Sequence, residues 1–192
     1  MSDETNHLTL EELEAGLDRI RQAPADLGSL ELIVRRPETL EREVLEEAEL
    51  DLVEGLVGDN WIRRRSSMTK DGGPHPEMQL NLMNSRVIDL VARERRDRWR
   101  LAGDQLFVDL DLSLANLPAG TRLAIGEAVI EVTPVPHTGC KKFVERFGLE
   151  AMKWVNSPVG RELNLRGICA KVVQSGVIRT GDRLVKSDPH LA

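Results

Sequence analysis

Pro134 and Pro136 place the tightest constraint on what this chain can fold into. Proline rejects the helix interior and the centre of a sheet, so the β-branched run from Ala128 to Thr133 is predicted to be a strand that stops there. The turn His137-Thr138-Gly139 follows, then Cys140, Lys141 and Lys142, then a run of helical spacing that closes at Phe147-Gly148. Thr138 is expected to cap that helix. Cys140 then falls in the first turn, where unpaired N–H groups and the positive end of the helix dipole favour a thiolate. Lys141 and Lys142 add positive charge, and a thiol so placed can ionise below the ordinary value of about 8.5. A second reading stays open: Cys140, Phe143, Val144 and Phe147 share one helical face, on which a cysteine is a small buried hydrophobe. The spacing does not choose between them.

The rest of the chain is punctuated at similarly short intervals. Thr9-Leu10-Glu11-Glu12 reads as a capping box opening a helix from Thr9 to Ala23, with Leu10, Leu13, Leu17 and Ile20 along one side. Strands are predicted from Ser29 to Arg35 and, through a Glu-rich stretch whose periodicity is ambiguous, between Leu40 and Leu56. Further strands run from Gln79 to Met83, Gln105 to Leu110, Thr121 to Ile125 and Ile168 to Gln174, and Val177 to Val185 supplies a turn and a closing strand. Helices are predicted from Ser85 to Arg93 and from Glu150 to Val155, the latter broken by Ser157-Pro158-Val159-Gly160. Many short strands with a few helices predict an α+β, β-rich fold: a small closed or nearly closed β-barrel with peripheral helices. The organisation expected is an amphipathic appendage over 1–28, a barrel domain over 29–186 and a tail over 187–192, with residues 1–7 a disordered start.

Composition narrows the function. Aromatic residues make up 3% of the chain, Tyr is absent and the net charge is −6, so base-stacking surfaces and general nucleic-acid affinity are not expected. No long apolar run or leader pattern is visible, and Cys140 and Cys169 suit a reducing compartment, so a cytoplasmic protein without membrane contact is expected. The four histidines are scattered, with no zinc spacing, and neither type of glycine-rich phosphate loop occurs. Cys169, inside the apolar Ile168–Val172 run, reads as a buried structural thiol. Arg63-Arg64-Arg65 reads either as a solvated face or as an anion site.

An ordered series of motifs resembles one family. It comprises Gly55-Leu56-Val57-Gly58-Asp59, Gln79 to Asn84, Leu101 to Leu106, Ala115-Asn116-Leu117-Pro118 and Leu123-Ala124-Ile125-Gly126. The single cysteine after the turn, Asn164-Leu165-Arg166-Gly167-Ile168 and Gly176 to Asp182 complete it. From about Glu43 to Lys186 the chain is similar to the MOSC domain, named for the C-terminal domain of molybdenum cofactor sulfurase. The resemblance implies a barrel of MOSC type and a molybdenum–pterin cofactor (molybdopterin) with Cys140 as protein ligand and catalytic residue. It further implies reduction of an N-hydroxylated small-molecule substrate with electrons from an external donor. His137, Thr138, Lys141, Lys142, Arg161, Asn164 and Arg166 are the residues it offers for the cofactor, Arg166 foremost for a phosphate. An association with pyridoxal phosphate binding exists at the level of the family. Two alternatives stand beside this reading: a sulfur carrier that holds a persulfide on Cys140 and receives it from a donor protein, and a non-catalytic binding module. The family's histidine shortly after Gly-Asp is replaced here by Trp61 and Ile62, which keeps the last alternative in view.

Overall fold

The structure, a computed structural model, describes residues 7–187. Eleven strands and six α-helices are found among them. The strands are β1 (Gly28–Arg35), β2 (Glu43–Leu45), β3 (Glu47–Asp51), β4 (Gly55–Leu56), β5 (Leu80–Asn84) and β6 (Leu106–Asp109), followed by β7 (Arg122–Ile125), β8 (Ala128–Pro136), β9 (Ile168–Gln174), β10 (Gly176–Arg179) and β11 (Arg183–Ser187). The helices are α1 (Leu10–Ala15), α2 (Leu17–Arg21), α3 (Ser85–Val91), α4 (Lys141–Phe147), α5 (Leu149–Val155) and α6 (Pro158–Glu162).

Seven strands close into a barrel in the order β11-β7-β8-β9-β5-β6-β1, with β1 returning to β11. The β5–β6 pair is parallel and the other pairs of the ring are antiparallel. Where β1 runs beyond β11, its free edge is taken by β2, and β10, β3 and β4 form a small separate sheet. The fold is therefore α+β with a closed mixed barrel. Alternation along the strands builds two cores. Leu30, Ile33, Leu82, Leu106, Ile130 and Val172 fill the barrel, while Leu32, Val34, Met83 and Phe107 point outward. The outward set packs with Leu13, Ile88, Trp99, Phe143, Phe147 and Trp154 of the flanking segments.

Several expectations need correction. The first predicted helix is two, α1 and α2, separated at Gly16, against which Leu90 packs so closely that a Cβ would lie 2.4 Å from its Cδ2. The Thr9–Glu12 capping box is formed, but of its apolar residues Leu13 and Ile20 are buried and Leu10 is exposed. The Leu40–Leu56 stretch is three short strands, and the Ser157–Gly160 break is α6, capped by the Ser157 hydroxyl. β8 does not stop at Pro134. It continues to Pro136, whose residue pairs with Ile168 beyond an irregularity in the ladder, the kind of place where a strand tolerates a residue without N–H. His7, assigned to a loose start, lies against Gly148. Residues 1–6 and 188–192 of the expected start and tail lie outside the described residues.

Candidate functional site

The end of β8, the loop to α4, and the α6–β9 connection enclose a cavity of about 340 Å³. Val132, Val135, Leu117 and Ile168 make its wall largely apolar, and His137, Thr138, Arg161 and Asn164, with Thr133, are the polar residues at it. Cys169 also reaches the wall.

The loop that carries His137, Thr138 and Gly139 is pinned from α5. Asn156 accepts from the Gly139 N–H at 2.9 Å and donates to its carbonyl at 3.2 Å. Cys140 is the N-cap residue of α4 and is exposed. Thr138 was expected to cap; instead no side chain caps α4. The apolar face of α4 buries Phe143 and Phe147, and Cys140 stands outside it, so the buried-hydrophobe reading of this thiol does not hold. Cys169 is fully buried, accepts from Asn81 at 3.3 Å, and burial, with Asp104 nearby, pushes its thiol up to about 12.

Behind the cavity lies a group that sequence reasoning missed. Asp104, completely buried, accepts from Arg166 Nη1 at 2.9 and 2.7 Å and is bonded to His137 Nε2 at 2.9 Å. Arg166 also donates to the Ala102 carbonyl at 3.0 Å, and its guanidinium stacks 5.0 Å over Phe143. Burial opposes ionisation of Asp104, but Arg166 and His137 outweigh it and hold the carboxyl down to about 2. Burial and then Arg166 lower the pKa of His137, so at neutral pH the imidazole is uncharged. Its Nε2–H is then the donor to Asp104, and Nδ1, which makes no hydrogen bond among the described residues, keeps its lone pair.

Of the residues singled out from sequence, His137, Thr138, Arg161 and Asn164 come together at the cavity. Asn164 is in the left-handed conformation and spends its amide on the Leu112 carbonyl. Lys141, Lys142 and Cys140 stand on α4 beside the cavity lining rather than in it. Arg166 is turned inward, 5% exposed, with Nη1 committed to Asp104 and Nη2 to the Ala102 carbonyl instead of being presented to a ligand. Gly167, expected to allow close approach of a ligand, allows that of β5: a Cβ there would lie 2.1 Å from the Leu82 carbonyl oxygen. The Gly103-Asp104 pair reads as a turn in the sequence, and nothing beside it announces that Arg166 and His137 will meet it.

The neutral imidazole has a consequence for stability. The folded pKa of His137 lies below its ordinary 6.5, so the unfolded chain takes up its proton first as the pH falls. Stability is expected to be complete above that value and to decline progressively below it, and His137→Gln, which keeps a donor for Asp104, should flatten this part of the profile. Urea midpoints measured at intervals between about pH 7.5 and 5 check this. Equal slopes for the two proteins would remove His137 as the cause.

The comparisons agree with this architecture. The model of the MOSC domain matches residues 69–185, and the chain belongs to that family. YuaD from Bacillus subtilis is similar in structure, at 17% identity over 84% of this chain and 96% of that one, with a TM-score of 0.58. YiiM from Escherichia coli is similar at 20% identity over 83% of this chain and 70% of that one, with a TM-score of 0.54. No curated protein sequence matches the chain. Among the described residues no helix is long and apolar enough to cross a membrane.

Proposed function

We propose that the chain is a molybdenum–pterin protein with Cys140 as the protein ligand, acting as a reductase of N-hydroxylated small molecules. The observation that carries the reading is the exposed Cys140 thiol at the N-cap of α4, two residues from a cavity wall. The donor set fits such a group. Among the described residues no cluster of His, Cys, Asp or Glu could complete a metal site around this thiol, so the other ligands would come from the organic part, as a dithiolene supplies them. When bound, the group would supply two-electron chemistry at the metal.

The chain's own residues divide the remaining work. Cys140 would hold the metal through its thiolate, and the Asn156 clamp on Gly139 fixes the backbone that presents it. Arg161 and Asn164 line the polar side of the cavity, and the apolar wall excludes water from the substrate. Breaking an N–O bond to give an amine and water consumes two electrons and two protons. His137 Nδ1 accepts and returns a proton at the cavity, with Asp104 holding the tautomer. The electrons come from an external donor protein.

The test is metal and pterin content of protein purified from its own host. Near-stoichiometric molybdenum is expected in the wild type and none in Cys140→Ala, with the near-ultraviolet circular dichroism of the two unchanged. Protein without molybdenum whose Cys140 carries cyanide-labile sulfur would replace this reading with the sulfur carrier.

A further inference from the structure

The cavity at the end of β8 carries a single fixed charge. Among the described residues that line it none is Asp, Glu or Lys, and His137 is neutral at ordinary pH, which leaves Arg161. The Arg161 Nε donates to the Asn156 carbonyl at 3.1 Å, and this bond orients the guanidinium. Its two Nη groups have no partner among the described residues, and the side chain is exposed. Arginines elsewhere on the surface are neutralised, Arg35 by Glu43 at 2.7 Å and Arg86 by Asp109 at 2.7 Å. Arg161 keeps both its charge and its outer donors unspent.

Leu114 lines the same cavity and is tied to the same helix. Its N–H donates to the carbonyl of Glu162, the residue after Arg161, at 3.0 Å, and its side chain is 57% exposed. The rest of the wall is buried and apolar at Leu117, Val132 and Ile168. Two polar side chains of the wall are already engaged: Thr133 donates to the Glu77 carbonyl at 2.7 Å and Asn164 to that of Leu112 at 2.8 Å. An apolar surface open to water and a guanidinium with free donors thus meet at one cavity. The first gains from covering, the second from an anion.

We infer that the cavity takes an apolar carboxylic acid, its body against Leu114, Leu117, Val132 and Ile168 and its carboxylate on the two Nη groups of Arg161. One guanidinium balances one negative charge, and its planar fork matches the two oxygens of a carboxylate. The chain as a whole carries a net charge of −6, so only a local cation can favour an anion here. A cavity of about 340 Å³ is at the small end of ligand sites, which suits a compact body such as one ring with a short arm. The inference deepens the proposed function and rests on it for the reaction: the N-hydroxylated substrate would carry a carboxylate apart from its N–O bond. Arg161, which the family resemblance offers to the cofactor, is on this account a specificity-determining residue that takes no part in the chemistry.

Titration of isotope-labelled protein with phenylacetate and with phenylacetamide, followed by the backbone amide signals of Val135, His137 and Ile168, tests it. The acid should bind about fivefold more tightly than the amide, the worth of a well-formed ion pair at an exposed position. The preference should shrink as salt is raised. Arg161→Met should bring the acid to the level of the amide and leave the amide unchanged, whereas loss of a merely structural arginine would weaken both alike. Arg161→Lys should keep part of the preference, and Leu114→Ser should weaken both ligands equally. Lys141→Met should select the acid as the wild type does. Cys140→Ala should bind both ligands as the wild type does, so an empty metal site and an unselective cavity are separate results. Absence of saturable shifts, equal binding of acid and amide by the wild type, or a preference that survives Arg161→Met would overturn the inference.

Discussion

Asp104→Asn is expected to destabilise the protein by about 3–5 kcal/mol, the cost of leaving a buried charge without its counter-ion. The stranded group is Arg166, 5% exposed, for which Asp104 is the only carboxylate partner among the described residues. Asparagine keeps the shape and one acceptor oxygen, so packing does not account for the loss. Replacing both members, Asp104→Leu with Arg166→Met, should recover much of it, since a buried pair exchanged for apolar groups is often near neutral. The acid limb of the wild type supplies a second readout. Asp104 is held at about 2 against an ordinary 3.8, so its contribution is complete above the latter value and vanishes as the pH falls towards the former. That limb should be missing from Asp104→Asn. Urea denaturation at neutral and acid pH measures both, and a loss under 1 kcal/mol would mean that Arg166 finds another partner.

Gly167→Ala is expected to cost about 4 kcal/mol or more, at the extreme of single substitutions. Two penalties combine there. The residue sits at a φ of 111°, which side chains rarely adopt, and the added Cβ would meet the Leu82 carbonyl of β5, a main-chain atom that cannot move without unpairing the β5–β9 ladder. Gly120 separates them: its φ is 91° and nothing lies within 4 Å of a Cβ built there. Gly120→Ala should therefore lose only about 1 kcal/mol for the backbone conformation. Similar midpoints for the two variants would show that β5 yields at little cost.

How far the sequence reveals this molecule depends on whether a feature is local. The Ile168–Gln174 strand is legible because its β-rich run lies between clear turns, and it forms with those bounds. The capping box at Thr9 is likewise written in four consecutive residues. The Leu40–Leu56 stretch resists such a reading because Glu and Leu favour a helix locally. Its strand β3 is decided instead by Gly176–Arg179, far along the chain. The candidate site divides in the same way. Cys140 and His137 are visible beside two prolines and a glycine. Asp104 looks like a turn residue, because its partners Arg166 and His137 arrive only when β9 and β8 close around it.

The pairing of β1 with β11 closes the ring through two residue pairs, Gly28 with Leu184 and Ser29 with Arg183, fewer than any other seam of the barrel. A cylinder presents no unpaired edge to other molecules, but the same strands unrolled along this seam become a ribbon with two. Gly28 guards the join, since a Cβ there would lie 2.5 Å from the Asp109 carbonyl oxygen of the strand on its other side. A defect at this one glycine would therefore turn a closed surface into a template for self-association, and its damage would be felt as loss of solubility before loss of the core.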